Sequence, residues 1–182
     1  MLAKTKPASS PLLAVYDSPV HGRGVRALLP IKKGSRVIEY LGERVSHAEA
    51  DRRYDLKGED DGHTFLFIAS SRTVIDAGVG GNEARFINHS CAPNCETVIE
   101  RGRVFIEAIR DIKVGEELGY DYQLTWESTD DPVELENYGC RCGAKQCRGT
   151  MLDKQPTDLQ PKLEALSRRK KSAKTKRSRK RK

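Results

Sequence analysis

A cluster of three cysteines constrains the fold of this 182-residue chain more than any other feature of its sequence. The cluster lies in the segment CRCGAKQC and consists of Cys140, Cys142 and Cys147. Tetrahedral zinc takes four ligands, so a zinc ion held here needs one more. The chain has two other cysteines, Cys91 and Cys95. The spacing therefore predicts that this late segment folds back onto residues 88–95, and the alternative is three unrelated reduced thiols.

Zinc binding requires reduced cysteines, which fits an expectation that the chain is not secreted through a signal peptide. The apolar run at residues 12–15 is too short for a signal-peptide core. Mean hydropathy is −0.65, and the sequence has no apolar run of about 18 residues, which argues against a membrane partner. We therefore expect thiols or metal ligands instead of a disulfide framework.

Charge divides the chain into two parts. Residues 168–182 hold eleven Lys or Arg and no acid, whereas residues 1–167 hold 22 basic and 26 acidic residues. A run of this kind repels itself and does not pack, so the sequence predicts a disordered basic tail. It favours nucleic-acid contact through counterion release, with a passive tail or a nuclear-import signal as the alternatives. Residues 153–167, with two prolines and three leucines, are interpreted as a linker.

The pattern of short apolar runs and turn residues predicts a mainly β fold without βαβ alternation. Ser46 and Glu49 have capping-box spacing, which predicts a short helix reaching about Lys57. A hairpin is expected across Arg101 and Gly102, with Gly42 as a bulge in the second predicted strand. The predicted strands are residues 25–28, 36–45, 64–68, 73–75, 98–99 and 104–109.

Three further segments concentrate chemically active side chains: HGRG at 21–24, RFINHSCAPNC at 85–95 and GEELGYDY at 115–122. The glycines of the first allow close backbone approach to a ligand, although such a segment alone is usually only a turn. The polar density of the second suggests a partly buried polar site, although a lone histidine such as His89 is more often a core residue. The tyrosines of the third combine flat apolar faces with hydroxyl groups, which suits a binding site. The alternative is that they only pack against neighbouring residues of a strand.

Together with EYLGE at 39–43 and the late cysteines, these segments resemble the SET-domain protein lysine methyltransferases in both content and order. The resemblance covers roughly residues 11–152. It implies a β-clip fold of several small curved sheets with a pseudoknot and few short helices. It also implies methyl transfer from S-adenosylmethionine to a lysine of a histone or histone-like tail, and hence a place in chromatin.

Carried over by position, the resemblance assigns roles to individual residues. It implies a zinc site in which Cys95 is a spare thiol. It implies that Tyr122 aligns the substrate amine, and that Tyr120, at a position occupied by Phe or Tyr, favours mono-methylation or di-methylation over tri-methylation. Gly119 stands where Thr is usual and is expected to add backbone freedom. The implied cofactor-binding residues are His21, Gly22, Arg23, Phe65, Arg85, Asn88 and His89. The implied zinc ligands are Cys91, Cys140, Cys142 and Cys147.

The expected organisation is a leader (1–11), a SET domain (12–125), a post-SET zinc segment (126–152), the linker (153–167) and the basic tail (168–182). The mild acidity outside the tail suits a basic peptide substrate. The expected location is a nucleus, or a bacterial nucleoid or cytoplasm. The alternative function is a non-catalytic zinc module that binds nucleic acid through its basic tail.

Overall fold

The computed structural model describes residues 10–55, 64–125 and 138–153, and short strands predominate in these ranges. The mainly β prediction is therefore confirmed. The strands are β1 (Leu13–Asp17), β2 (Arg23–Ala27), β3 (Arg36–Glu39), β4 (Glu43–Val45), β5 (Leu66–Ser70), β6 (Thr73–Asp76), β7 (Asn88–His89), β8 (Cys95–Glu100), β9 (Arg103–Ala108) and β10 (Gly119–Tyr120). The helical elements in the described part are α1 (His47–Asp55) and a 3-10 helix (Glu83–Phe86).

The chain divides into two compact units. The first comprises residues 1–121 and 141–147, and the second comprises residues 122–140 and 148–182. All ten strands belong to the first unit. In the second unit, Leu124 forms an isolated parallel bridge with Leu152. Among the described residues, no helix is both long enough and apolar enough to cross a membrane.

The ten strands form four small sheets. β1 pairs with β2, β9 lies between β3 and β8, and β6 lies between β4 and β5; all of these pairings are antiparallel. The fourth sheet is a parallel pair of β7 with β10. This last pair joins two segments that lie about thirty residues apart in the chain. It contains Asn88, His89 and Tyr120, three of the predicted functional residues.

The predicted hairpin across Arg101 and Gly102 is confirmed. These residues connect β8 to β9, and their φ angles are 50° and 76°. Positive φ at both central residues is the type I′ geometry, whose twist matches that of the flanking strands.

The prediction of one strand over residues 36–45 is wrong. The segment forms two strands, β3 and β4, which belong to different sheets. Gly42 lies between them, and a Cβ atom there would lie 2.6 Å from the Asp76 carbonyl oxygen. The chain therefore leaves one sheet and enters the next by passing closely over the end of β6, which only a residue without a side chain permits.

Helix α1 begins as its sequence predicts. The Ser46 hydroxyl accepts a hydrogen bond of 3.2 Å from the Glu49 backbone N–H, which satisfies a donor that the first helical turn leaves unpaired. The Glu49 carboxylate accepts hydrogen bonds from Arg52 and Arg53, so only one half of the capping box is formed. The helix ends at Asp55, and the predicted end near Lys57 lies outside the described residues.

The core of the first unit is aliphatic and centres on β9 and its neighbours. Val104 and Ile106 of β9 are completely buried, and Phe105 between them is 6% exposed. The largest fully buried side chains are Ile87, Ile106, Ile112, Leu118, Val25, Val104 and Cys95. Several of these flank the candidate site segments, so the same core that stabilises the fold also holds the site.

Replacing the buried Ile106 with Ala should lower the free energy of unfolding by about 3 kcal/mol, because it removes three buried carbon atoms and leaves a cavity. Ile68→Ala is the matched control. Ile68 lies in β5 and is 64% exposed, so its loss should cost less than about 1 kcal/mol. Urea unfolding followed by circular dichroism measures both. Equal losses would contradict this assignment of the core.

Candidate functional site

The site is organised by the parallel pairing of β7 and β10. Asn88 lies opposite Gly119, and His89 lies opposite Tyr120. Beyond the strands, the Ser90 N–H donates to the Tyr120 carbonyl at 3.0 Å, and the Asn94 N–H donates to the Gly119 carbonyl at 3.2 Å. Two of the polar segments singled out in the sequence are therefore brought side by side.

Asn94 reinforces this pairing with its side chain. It is 3% exposed. Its Oδ1 atom accepts from the Gly119 N–H at 2.9 Å, and its Nδ2 atom donates to the Glu117 carbonyl at 2.8 Å and to Glu116 Oε1 at 3.2 Å. A buried amide that satisfies three groups of one segment fixes the position of that segment.

Gly119 is explained by close packing, not by the backbone freedom expected from the sequence. A Cβ atom at this position would lie 2.9 Å from the Ser90 Cβ atom and 3.4 Å from the Asn88 carbonyl oxygen. The residue therefore permits the close approach of the two strands. Its φ angle is not positive, so its backbone conformation is open to other residues.

Asn88 connects the paired strands to the HGRG segment. Its Nδ2 atom donates to the backbone carbonyls of Arg23 at 3.1 Å and His21 at 3.4 Å. Gly22, between these two residues, has a φ angle of 47°, a left-handed conformation that glycine adopts readily. The amide nitrogen of Asn88 thus holds a turn whose side chains remain exposed.

Two guanidinium groups and two phenyl rings form a cluster next to this turn. The guanidinium carbons of Arg23 and Arg85 lie 4.1 Å and 4.6 Å from the centre of the Phe86 ring, within cation–π range. Phe65 contacts the Phe86 ring edge-to-face at 5.7 Å. Arg85 also donates to the Ala77 carbonyl at 2.9 Å. The structure therefore brings together six of the predicted cofactor-binding residues: His21, Gly22, Arg23, Phe65, Arg85 and Asn88.

The backbone of Phe65 is held by two tyrosines that the sequence analysis missed. The Phe65 N–H donates to the Tyr54 hydroxyl at 3.2 Å, and the Phe65 carbonyl accepts from the Tyr40 hydroxyl at 3.2 Å. Tyr54 lies in α1, so the helix sets the position of a candidate site residue. Apolar periodicity gave no signal for either contact, because the joined residues are 25 and 11 positions apart in the chain.

The side chain of His89 faces cysteine, in contrast to those of the other predicted cofactor-binding residues. It is almost fully buried; its Nε2 atom lies 3.3 Å from Cys91 Sγ and its Nδ1 atom lies 3.6 Å from Asp121 Oδ1. The imidazole therefore lies between the Asp121 carboxylate and the sulfur of a predicted zinc ligand. The ring nitrogens are therefore engaged by the protein.

The four predicted zinc ligands lie together. The sulfur atoms of Cys91, Cys140, Cys142 and Cys147 are all within 4.8 Å of one another. A tetrahedral zinc with Zn–S distances of about 2.3 Å separates its sulfurs by about 3.8 Å, so four thiolates at this spacing fit the metal. The turn between Cys142 and Cys147 is closed by a hydrogen bond from the Cys147 N–H to the Ala144 carbonyl.

Cys95 does not belong to this cluster. It is 1% exposed, and burial raises the pKa of its thiol to about 12. A thiol in such surroundings stays protonated near neutral pH and is a poor metal ligand.

The predicted catalytic tyrosines fall in different units. Tyr120, in the first unit, is 8% exposed, and its carbonyl takes part in the strand pairing. Tyr122, in the second unit, is half-buried.

Sequence reasoning also missed Glu117, which lies within the GEELGYDY segment. Its carboxylate accepts hydrogen bonds from Tyr16, Ser18 and Asn88. Its position within the GEELGYDY segment was a signal that it belongs to the site. Its hydrogen-bond partners, however, lie in remote segments, and no sequence pattern predicts these contacts.

Comparison with known proteins identifies one matching family, the SET domain, over residues 22–123. The chain is 39% identical over 143 residues to histone-lysine N-methyltransferase trithorax of Drosophila virilis, an alignment that covers 75% of this chain and 4% of that protein. It is 42% identical over 137 residues to the H3 lysine-4 specific histone-lysine N-methyltransferase of Schizosaccharomyces pombe, covering 72% and 14%. It is 39% identical over 145 residues to human histone-lysine N-methyltransferase SETD1B, covering 76% and 7%. The aligned part is thus a small fraction of each relative's length.

If the cysteine cluster binds zinc, the purified chain should contain about one zinc ion, measured by inductively coupled plasma mass spectrometry. Cys91→Ala should lower the zinc content several-fold, because three thiolates leave one position of the tetrahedron open. Cys95→Ala is the matched control and should retain the metal. Equal zinc content in the two variants would contradict the ligand assignment.

Proposed function

This chain belongs to the SET-domain family, and from that premise we propose that it is a protein-lysine N-methyltransferase that uses S-adenosylmethionine. The observation that carries the proposal is the pairing of β7 with β10, which places Asn88 beside the 21–24 turn and Tyr120 within the same small sheet. The relatives named above are histone-lysine N-methyltransferases, which supports the same reaction.

The chemistry of the Asn88 region fits the amino-acid part of S-adenosylmethionine. Because the Asn88 nitrogen is engaged by backbone carbonyls, its amide oxygen is the atom suited to accept from an ammonium group. The Arg23 guanidinium, which is exposed, suits a carboxylate. We propose that the cofactor is held by His21, Gly22, Arg23, Phe65, Arg85, Asn88 and His89, with His89 contributing through its backbone. When bound, S-adenosylmethionine supplies an activated methyl group on a sulfonium.

The protein's task in this reaction is to present a neutral lysine amine in line with that methyl group. A free lysine with a pKa of about 10.4 is only about 0.04% neutral at pH 7. An apolar channel disfavours the ammonium form, and a neighbouring positive charge acts in the same direction. We propose that the Tyr122 hydroxyl then aligns the amine, since alignment is the chief requirement of a displacement reaction.

The proposed substrate is a basic, histone-like tail. Residues 1–167 carry four more acidic than basic residues, which favours a cationic peptide. One of the named relatives is specific for H3 lysine 4, and we propose histone lysines as the substrate class here. The proposed location is with chromatin in a nucleus, or in a bacterial nucleoid or cytoplasm.

We also propose a domain organisation and a zinc site for the chain. The SET domain would span residues 12–125 and the zinc segment 126–152, with zinc held by Cys91, Cys140, Cys142 and Cys147. The basic tail, residues 168–182, lies outside the described residues, and its charge supports a proposed contact with nucleic acid.

Tyr122→Phe should reduce methyl transfer at least 100-fold, because it removes the hydroxyl that aligns the amine. Binding of S-adenosylhomocysteine should change less than twofold. Transfer from radiolabelled S-adenosylmethionine to histones and isothermal titration calorimetry measure the two effects. Full transfer by the variant would contradict the role of Tyr122. Tight DNA binding by the intact chain with no transfer at all would favour the alternative of a nucleic-acid-binding zinc module.

Tyr120→Phe should raise the proportion of di-methylated and tri-methylated product. A hydroxyl at this position can hold a water molecule and leaves less room for an amine that already carries methyl groups. Mass spectrometry of a histone peptide after exhaustive reaction measures the product distribution. An unchanged distribution would contradict control of the product by Tyr120.

A further inference from the structure

Glu117 is the meeting point of three side chains from distant parts of the chain. Its Oε2 atom accepts a hydrogen bond of 2.5 Å from the Tyr16 hydroxyl, and the Ser18 hydroxyl lies 2.8 Å from Oε1 and 3.0 Å from Oε2. Oε1 also accepts from Asn88 Nδ2 at 2.9 Å. Tyr16 and Ser18 precede the 21–24 turn, so the carboxylate joins this turn to the paired strands.

The Glu117 carboxylate also fits closely against the backbone of that turn. A Cβ atom at Gly24 would lie 2.5 Å from Oε1 of Glu117 and 2.8 Å from the Ser18 Cβ atom. Arg26 forms an isolated antiparallel bridge with Glu117, so the backbone of residue 117 is fixed as well. Contacts of both the main chain and the side chain of Glu117 therefore fix the position of the carboxylate.

The phenol of Tyr16 remains a donor in this arrangement. Burial, followed by the hydrogen bond to the Glu117 carboxylate, raises the pKa of Tyr16. A raised pKa keeps the phenol protonated, and therefore a hydrogen-bond donor, to a higher pH than is usual for tyrosine.

The charge of Glu117 selects one of the two orientations of the Asn88 amide. An ionised carboxylate only accepts hydrogen bonds, and so do the backbone carbonyls of His21 and Arg23. All three therefore require that the Asn88 nitrogen faces them, as it does. The carboxylate bond is charge-assisted and is the shortest of the three contacts, which makes it the strongest determinant of the orientation.

We propose that Glu117 is a positioning residue for the cofactor: it orients the Asn88 amide so that Oδ1 accepts a hydrogen bond from the α-amino group of S-adenosylmethionine. The inference rests on the proposed function. It predicts that Glu117 matters for ligands that carry the amino-acid part and not for ligands that lack it.

The test compares two ligands in Glu117→Gln. Glutamine has the same shape but is neutral and offers a donor as well as an acceptor, so it removes the strongest of the three requirements on the orientation of the Asn88 amide and leaves those of the two backbone carbonyls. S-adenosylhomocysteine carries the α-amino group, and methylthioadenosine lacks the whole amino-acid part. Isothermal titration calorimetry should show affinity for S-adenosylhomocysteine weakened about tenfold and affinity for methylthioadenosine changed less than twofold. Glu96→Gln, at an exposed position of β8, is the matched control and should leave both affinities unchanged.

Two results for Glu117→Gln would overturn the inference: unchanged affinity for S-adenosylhomocysteine, or equal weakening for both ligands, which indicates a general structural role. In an Asn88→Ala background, Glu117→Gln should have no further effect, and an additive loss would also overturn it. If Glu117→Gln does not fold, a double variant with Tyr16→Phe and Ser18→Ala removes the two hydroxyl groups that anchor the carboxylate. This double variant should show the same ligand selectivity, with affinity for S-adenosylhomocysteine weakened about threefold. If the unaltered chain binds neither ligand, the proposed function itself fails and the inference falls with it.

Discussion

The site depends on a parallel contact between two strands of only two residues each, Asn88–His89 and Gly119–Tyr120. Such a short pairing supplies few backbone hydrogen bonds. Side-chain hydrogen bonds therefore supply much of the attachment between the two segments. The Asn94 amide bonds to three groups in residues 116–119, and the absence of a side chain at Gly119 lets the strands approach. Without this contact, Asn88, Tyr120 and Cys91 would have no fixed relation to one another.

The polar groups around Glu117 are satisfied mainly by one another, which is how a modest aliphatic core tolerates them. An unpaired polar group in such surroundings costs far more than a paired one gains. Glu117, Asn88 and the carbonyls of residues 21 and 23 form one connected set. A network of this kind holds its members in one arrangement, because changing one group leaves another without a partner.

Helix α1 contributes a separate set of polar contacts within the first unit. Tyr54 accepts a hydrogen bond from the backbone of Phe65, and Arg53 forms ion pairs with Glu43, Glu49 and the buried Asp76. Hydrogen bonds from Arg52 and Arg53 lower the pKa of Glu49 to about 2, so this carboxylate stays ionised well into the acidic range. The placement of the Phe65 ring beside Phe86 therefore depends on a helix that contributes no predicted site residue.

The sequence alone determined the β character of the chain, the Arg101–Gly102 hairpin, the Ser46 cap and the identity of the chemically active segments. Each of these follows from local conformational preference or from the donor chemistry of the side chains, which neighbouring residues express without help from the fold. Only the tertiary structure decided that residues 36–45 divide between two sheets, that Gly119 is required for packing, and that Glu117 joins Tyr16 to Asn88. These features arise from close approach of segments that are remote in the chain, and pairings between remote segments leave no periodic signal in the sequence.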